Sequence, residues 1–164
     1  MAKFYITTPI YYINAEPHIG HAYTTVVADI LARWHRLKGD DVFFLTGLDE
    51  NSVKTVQAAR SKGFSDVQEY ADWMAEKWIE VWKKLDISYD DFIRTTEERH
   101  KKNVRELFER LRQRGELYKG TYRGLYCEGC EAYLSEEELV DGECPLHKTP
   151  PRLVEEDNYF FRLS

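Results

Sequence analysis

The sequence predicts an α/β protein: a parallel sheet with crossover helices, followed by a small module built on cysteine and histidine. Three observations carry this. A β-branched and aromatic run, Phe4–Thr8, is followed by apolar residues at helical spacing (Val27, Ile30, Leu31, Trp34, Leu37) and then by a continuous apolar run, Val42–Thr46. Strand, helix and strand in that order read as a right-handed parallel crossover. Near the C-terminus, two short Cys/His pairs interrupt a tyrosine- and glycine-rich segment.

In chain order, the spacing predicts a strand over 4–8, a loop over 9–19 and a helix over about 20–38, closed by Lys38-Gly39-Asp40-Asp41. The 42–46 run is the pattern of a strand covered on both faces. Helices follow over 53–62 and 66–85, the second opened by a capping-box spacing, Ser65 and Gln68. Its wide stripe of Tyr70, Trp73, Met74, Trp78, Val81, Trp82 and Leu85 reads as core. A third strand covers 92–94. Thr95 with Glu98 is expected to cap a charged helix running to about Arg114, whose cations read as a solvated face. Alternation over 117–126 predicts a strand or hairpin.

Composition bounds the function. The chain has 164 residues, 43% hydrophobic and 14% aromatic, which suits a packed domain with a small appendage. No apolar run approaches the roughly 18–20 residues of a membrane helix. Met1-Ala2-Lys3-Phe4 opens directly into a strand with no secretory signal, so a cytoplasmic protein is expected. A net charge of −6 argues against a broad nucleic-acid surface and leaves room for a limited RNA contact.

Two stretches carry chemistry. His18-Ile19-Gly20-His21 lies at a loop-to-helix junction, where unpaired N–H groups and the helix dipole favour phosphate. Gly20 would let a ligand approach the backbone. The two imidazoles can donate to a phosphate chain, or can serve as a helix cap with a surface histidine beside it. In parallel sheets ligands bind beyond the C-terminal strand ends. That puts the loop bearing Tyr12, His18 and His21 at the same edge as the Gly47–Glu50 loop. Asp49 there reads equally as acceptor for an ammonium group or as N-cap of the next helix.

The second stretch is Cys127-Glu-Gly-Cys130 with Cys144-Pro-Leu-His147. Two knuckles at this separation match a four-ligand tetrahedral zinc site, with a capped turn at Ser135–Glu138 between them. A disulfide is the competing reading; three cysteines are odd in number and all lie inside the pattern. Four protein ligands make the metal structural, folding a knuckle too small for its own apolar core.

With these residues in hand, the chain resembles the class I aminoacyl-tRNA synthetases, most closely their methionyl branch. The likeness rests on Pro9–His21, Thr46–Glu50, Tyr89–Thr96, Gly124–Cys127 and Asn158–Leu163. It implies a Rossmann-like sheet, first half only, with an inserted zinc knuckle over the active-site mouth, where the acceptor end of tRNA arrives. The implied domains are 1–116, the first half of the catalytic domain, 117–157, the zinc insertion, and 158–164, the start of the return. The implied substrates are methionine, ATP with Mg2+, and tRNA. His18 and His21 are then the catalytic pair, with Tyr12, Asn14 and Gly20 completing the ATP site. Ile10, Tyr12 and Asp49 form the methionine site, although core packing is the alternative for Ile10.

Where the family usually has Thr-Asp-Glu-His-Gly, this chain has Leu48-Asp49-Glu50-Asn51-Ser52, and Asn51 cannot carry a charge. A Lys-Met-Ser-Lys-Ser-type loop and an anticodon-binding region have no counterpart. The expectation is a portion of a synthetase or one piece of a split enzyme whose other half is a separate chain, with the edge of its first strand unpaired. Rivals are a cysteinyl, leucyl, isoleucyl or valyl enzyme, and an inactive zinc-dependent RNA-binding or scaffold module.

Overall fold

The computed structural model describes residues 1–163. The chain divides into two compact units, Met1–Val104 and Arg105–Ser164. No helix is long and apolar enough to cross a membrane among the described residues.

The first unit runs β1 (Lys3–Tyr12), α1 (Ile19–Leu37), β2 (Asp41–Asp49), α2 (Val53–Ser61), α3 (Val67–Lys84) and β3 (Asp91–Arg94). The three strands form one parallel sheet in the order β1-β2-β3. A further helix, α4 (Glu98–Gln113), contains the division between the units rather than preceding it.

β1 is longer than the sequence pattern suggests. Pro9 has no N–H to donate, which argues for a strand end at Thr8. The strand instead passes through the proline by a bulge: Thr7 pairs with Leu45 and Ile10 with Gly47, so β1 spends one more residue than β2. The Thr8 hydroxyl supports the bulge, 2.6 Å from the Thr46 hydroxyl and 2.8 Å from the Pro9 carbonyl. The extra residue reverses the alternation. Before it, Ile6 and Thr8 turn inward; after it, Tyr11 and Ile13 do.

The inward face is covered by α1, α2 and α3. Tyr11, Ile13, Leu48, Ala59, Tyr70, Met74, Trp78 and Trp82 form its main cluster, with Ala28, Ala32 and Phe44 alongside. The aromatic stripe of α3 is therefore core, as its spacing indicates. Tyr11 stacks on Trp78 at 5.1 Å between ring centroids. Two buried indole N–H groups, on Trp78 and Trp82, go without a hydrogen-bond partner, a cost set against the large apolar area the two rings bury. Among the described residues helices cover only this face, whereas the apolar run of β2 suggests cover on both. Phe43 and Tyr5, which point the other way, are 46% and 63% exposed.

Two caps differ from expectation. α3 is capped by Asp66, whose carboxylate accepts the Gln68 N–H at 2.8 Å. Ser65 stands one residue too early, and Asp caps as well as Ser. Thr95 does not cap α4; its hydroxyl accepts the Glu50 N–H at 2.9 Å. The N–H groups of His100 and Lys101 in the first turn of α4 both go to the Glu97 carbonyl, at 3.0 Å.

The second unit holds β4 (Leu117–Cys127), β5 (Ala132–Leu134) and β6 (Arg152–Phe161), antiparallel in the order β5-β4-β6. β4 and β6 pair from Leu117↔Phe161 to Tyr126↔Arg152, so Asn158–Phe161 belong to this sheet. A single 3-10 turn, Glu136–Glu138, carries the Ser135–Glu138 capping box. Among its described residues only Cys127 and Cys144 are fully buried.

Within the first unit, α1 is tied to the turn before β3 by Asp29. Its carboxylate accepts the Ser88 N–H at 2.7 Å, the Ser88 hydroxyl at 2.5 Å and Arg33 Nε at 2.6 Å. Burial alone would raise its pKa; the Ser88 and Arg33 contacts outweigh this and hold it below the ordinary 3.8. A depressed carboxylate stabilises the fold above the unfolded-state pKa, and that share is lost as pH falls through the folded value. Asp29→Asn should thus lower unfolding free energy by about 1–3 kcal/mol at pH 7. The gap from wild type should narrow near pH 3, as read by urea denaturation at both pH values.

Candidate active site and metal centre

The loop after β1 enters α1 through a reciprocal cap made by two imidazoles. His18 is the N-cap, with extended backbone. Its Nδ1 accepts the Gly20 N–H at 3.1 Å, and His21 Nδ1 accepts the His18 N–H at 3.2 Å. The rings stack at 3.7 Å. A backbone N–H can only donate, so each Nδ1 presents a lone pair and each neutral ring carries its proton on Nε2. The pair thus caps the helix with one nitrogen and keeps a donor on the other. No acidic residue stands in the first turn to neutralise the dipole.

Gly20 has a further reason than ligand approach. A Cβ there would lie 2.9 Å from His18 Cε1 and 3.1 Å from its Nδ1. Glycine lets the His18 ring fold back onto the backbone it caps. His21 rests on the core, 4.9 Å from the rings of both Tyr11 and Trp78. Burial lowers its pKa below the ordinary 6.5, and the neighbouring His18 adds to the effect. Tyr11 is itself fixed by a 2.9 Å hydrogen bond to the Thr25 hydroxyl. Neither Tyr11 nor Trp78 stands out in the sequence from other core aromatics.

The strand ends place the remaining candidates. Ile10, Tyr11 and Tyr12 pair with Gly47, Leu48 and Asp49. Tyr11 and Leu48 lie in the core, so alternation turns Ile10, Tyr12 and Asp49 to the opposite, open face. Ile10 is 41% and Tyr12 44% exposed. Gly47, between them, adds no side chain, and a Cβ there would strike the Ile93 carbonyl at 2.1 Å. The Asp49 carboxylate accepts the Asn51 N–H at 3.1 Å, while α2 is capped by Ser52, which accepts from Thr55. Asp49 is therefore not the N-cap. Asn14 sits in the turn that follows β1. The imidazole pair and the Ile10/Tyr12/Asp49 group thus share one end of the sheet, the first on the helix-covered side, the second on the open face.

The metal centre lies in the second unit. Sγ of Cys127, Cys130 and Cys144 and Nδ1 of His147 lie within 4.8 Å of one another. Nδ1 of His147 is 3.2, 3.7 and 3.8 Å from the sulfurs of Cys130, Cys144 and Cys127, and Cys130 and Cys144 are 3.5 Å apart, unbonded. Tetrahedral zinc with Zn–S and Zn–N bonds of about 2.3 and 2.0 Å requires ligand separations of about 3.3–3.8 Å, so the donor set fits the ion. A Cβ on Gly129 would lie 2.4 Å from the His147 ring, which explains that glycine between the first two cysteines. Without a cation the thiols compete. The N–H of His147 draws Cys144 down to about 6, while the Cys144 contact and burial push Cys130 up to about 12.

Residues 4–164 match the family model of class I tRNA synthetases (M). The chain is 55% identical to the methionine–tRNA ligase of Thermotoga maritima over 99% of its own length and 26% of the relative's. It is 49% identical to that of Streptomyces coelicolor, over 98% and 31%. It superposes on Mycobacterium tuberculosis methionyl-tRNA synthetase in complex with methionyl-adenylate with a TM-score of 0.88 at 40% identity, covering 99% of this chain and 32% of that one. A leucyl-tRNA synthetase in complex with tRNA, from Agrobacterium radiobacter K84, shares the fold at 20% identity and a TM-score of 0.77. The chain thus spans about a quarter to a third of the length of the methionyl relatives it matches, and it belongs to the class I aminoacyl-tRNA synthetases of the (M) family.

Proposed function

We propose that these residues form the N-terminal catalytic portion of a methionine–tRNA ligase. Such an enzyme works in two steps. A carboxylate oxygen of methionine attacks the α-phosphorus of ATP and pyrophosphate leaves. A ribose hydroxyl at the tRNA acceptor end then attacks the aminoacyl carbonyl and AMP leaves. The observation that carries the reading is the imidazole pair at the N-terminus of α1. Its Nε2–H groups and the helix dipole favour the charge that builds on the phosphates. Gly20 permits the cap that aims the donors, and Tyr12 and Asn14 shape the nucleotide site. Mg2+ accompanies ATP as part of the substrate.

Asp49 is the acceptor for the methionine ammonium, with Ile10 and Tyr12 lining the side-chain pocket. An exposed Ile10 beside an exposed tyrosine and a carboxylate supports a pocket wall over core packing. Catalysis is by positioning and electrostatics, with no covalent intermediate on the protein. Cys127, Cys130, Cys144 and His147 hold a structural zinc, since four protein ligands leave no open position. The site is split between the strand ends described above and a second catalytic half, present either later in the same gene product or as a separate chain. The reaction is that of a soluble cytoplasmic enzyme.

Methionine-dependent ATP–pyrophosphate exchange by the full gene product that contains these residues tests the reading; exchange with leucine, isoleucine, valine or cysteine in place of methionine overturns it. The 164-residue chain alone should bind zinc and show little or no exchange, and a normal rate from it would refute the split site. Gly20→Ala should lower exchange in the full product by about a hundredfold, because the His18 ring must move, while costing only about 1 kcal/mol of stability. Metal analysis should find one zinc per chain; removing it with a chelator should abolish the near-ultraviolet dichroism of the second unit's tyrosines, leaving that of the first unit.

A further inference from the structure

Asp49 and Glu50 are adjacent carboxylates in opposite environments. Glu50 is 4% exposed and lies on the helix-covered side. Its Oε1 accepts Arg94 Nε at 2.6 Å, and its other oxygen accepts the Thr96 hydroxyl. Its N–H donates to Thr95, whose own N–H goes to the Leu48 carbonyl at 3.3 Å. Arg94 ends β3 as the register partner of Leu48. A second guanidinium nitrogen reaches Asp72 of α3 at 2.5 Å, and Asp72 also accepts from Gln68 at 3.0 Å. One planar fork therefore joins the residue after β2, the end of β3 and the body of α3. Burial disfavours the charged guanidinium, but Glu50 and Asp72 more than offset this and raise its pKa, so Arg94 remains a cation.

We infer that Arg94 is a positioning residue for the amino-acid subsite: by fixing Glu50 on the inner face it holds Asp49 on the outer one, aimed at the substrate ammonium. The inference rests on the reading of Asp49 given above. The chain can turn Asp49 outward only if its neighbour is held inward, and a carboxylate as buried as Glu50 stays inward only while paired. Arg94 touches no substrate in this arrangement; it acts through Glu50 and the backbone.

The test measures methionine and ATP dependence of pyrophosphate exchange, with thermal melting, for Arg94→Lys, Asp72→Asn and Asp49→Asn in the full gene product. A lysine is a point charge that cannot bridge Glu50 and Asp72 as a fork does. Arg94→Lys should raise the KM for methionine about tenfold, the weight of one charge-assisted bond, with the KM for ATP within about twofold. Asp72→Asn, which loosens only the outer anchor, should raise it about threefold and serves if the lysine variant fails to fold. An unchanged KM for methionine in a folded variant, or loss of both substrates' KM in step with melting temperature, overturns the positioning role and leaves only a structural clamp. If wild type shows no methionine-dependent exchange, or Asp49→Asn leaves the KM for methionine unchanged, the reading of Asp49 falls and takes this role with it.

Discussion

A single extra residue in β1 organises the candidate site. Through Thr8 the strand keeps its even-numbered side chains inward; past the bulge at Pro9 the odd-numbered ones turn in. Without that change of phase, Tyr12 and Ile10 would face the helices and Tyr11 would face away from them. With it, Tyr11 lies beneath His21 and against Trp78, and Tyr12 stands beside Asp49 on the open face. Proline is tolerated there because the extra residue of a bulge leaves the ladder, so no hydrogen bond is missed. The Thr8–Thr46 contact ties the distortion to β2.

The capping arrangement follows from the same economy of donors. The first N–H groups of a helix need acceptors, and Ser, Thr, Asp or Asn usually supply them. Here imidazole nitrogens do so, which fixes the tautomer of both rings. A serine or aspartate in place of His18 would satisfy the backbone equally well and leave nothing to donate outward. Burial of His21, and then the neighbouring His18, hold its pKa below the ordinary 6.5 and so favour the neutral ring, in which Nε2 is the donor.

Much of this was legible in the sequence, for identifiable reasons. The crossover, the core stripe of α3 and the Cys/His cluster all rest on periodicity or spacing, which survive folding unchanged. The details that escaped depend on pairing across distance. The extension of β1 beyond Pro9 needed β2 to show the bulge. Asp66 rather than Ser65 as the α3 cap is a choice between adjacent good caps, and Thr95 was drawn away from α4 by Glu50, a partner far off in sequence. The apolar run of β2 marks the strand but not its cover: it predicts both faces covered, and among the described residues helices cover one, leaving Phe43 exposed. Asp49 fits a cap and a ligand acceptor equally well by sequence, and Ser52, as the N-cap of α2, takes the first of these roles.

The two units differ in what holds them. The first has a conventional apolar core, so its polar interactions are free to specify geometry: Asp29 fixes α1 to the β3 turn, and Arg94 fixes Glu50 to α3. Among its described residues the second buries only two fully, and both are cysteines of the cluster. Its strands β4 and β6 pair along ten residues and its rings touch, with Tyr133 at 4.5 Å from Tyr122 and 5.1 Å from Tyr126, and Tyr159 at 5.7 Å from Phe108 of α4. Three thiols and an imidazole drawn together are mutually unfavourable once a second thiol ionises, as the opposed shifts of Cys130 and Cys144 indicate. A divalent cation reverses that balance by stabilising the thiolates together. Bound there, such a cation would do for the second unit what the tryptophans and Tyr70 do for the first.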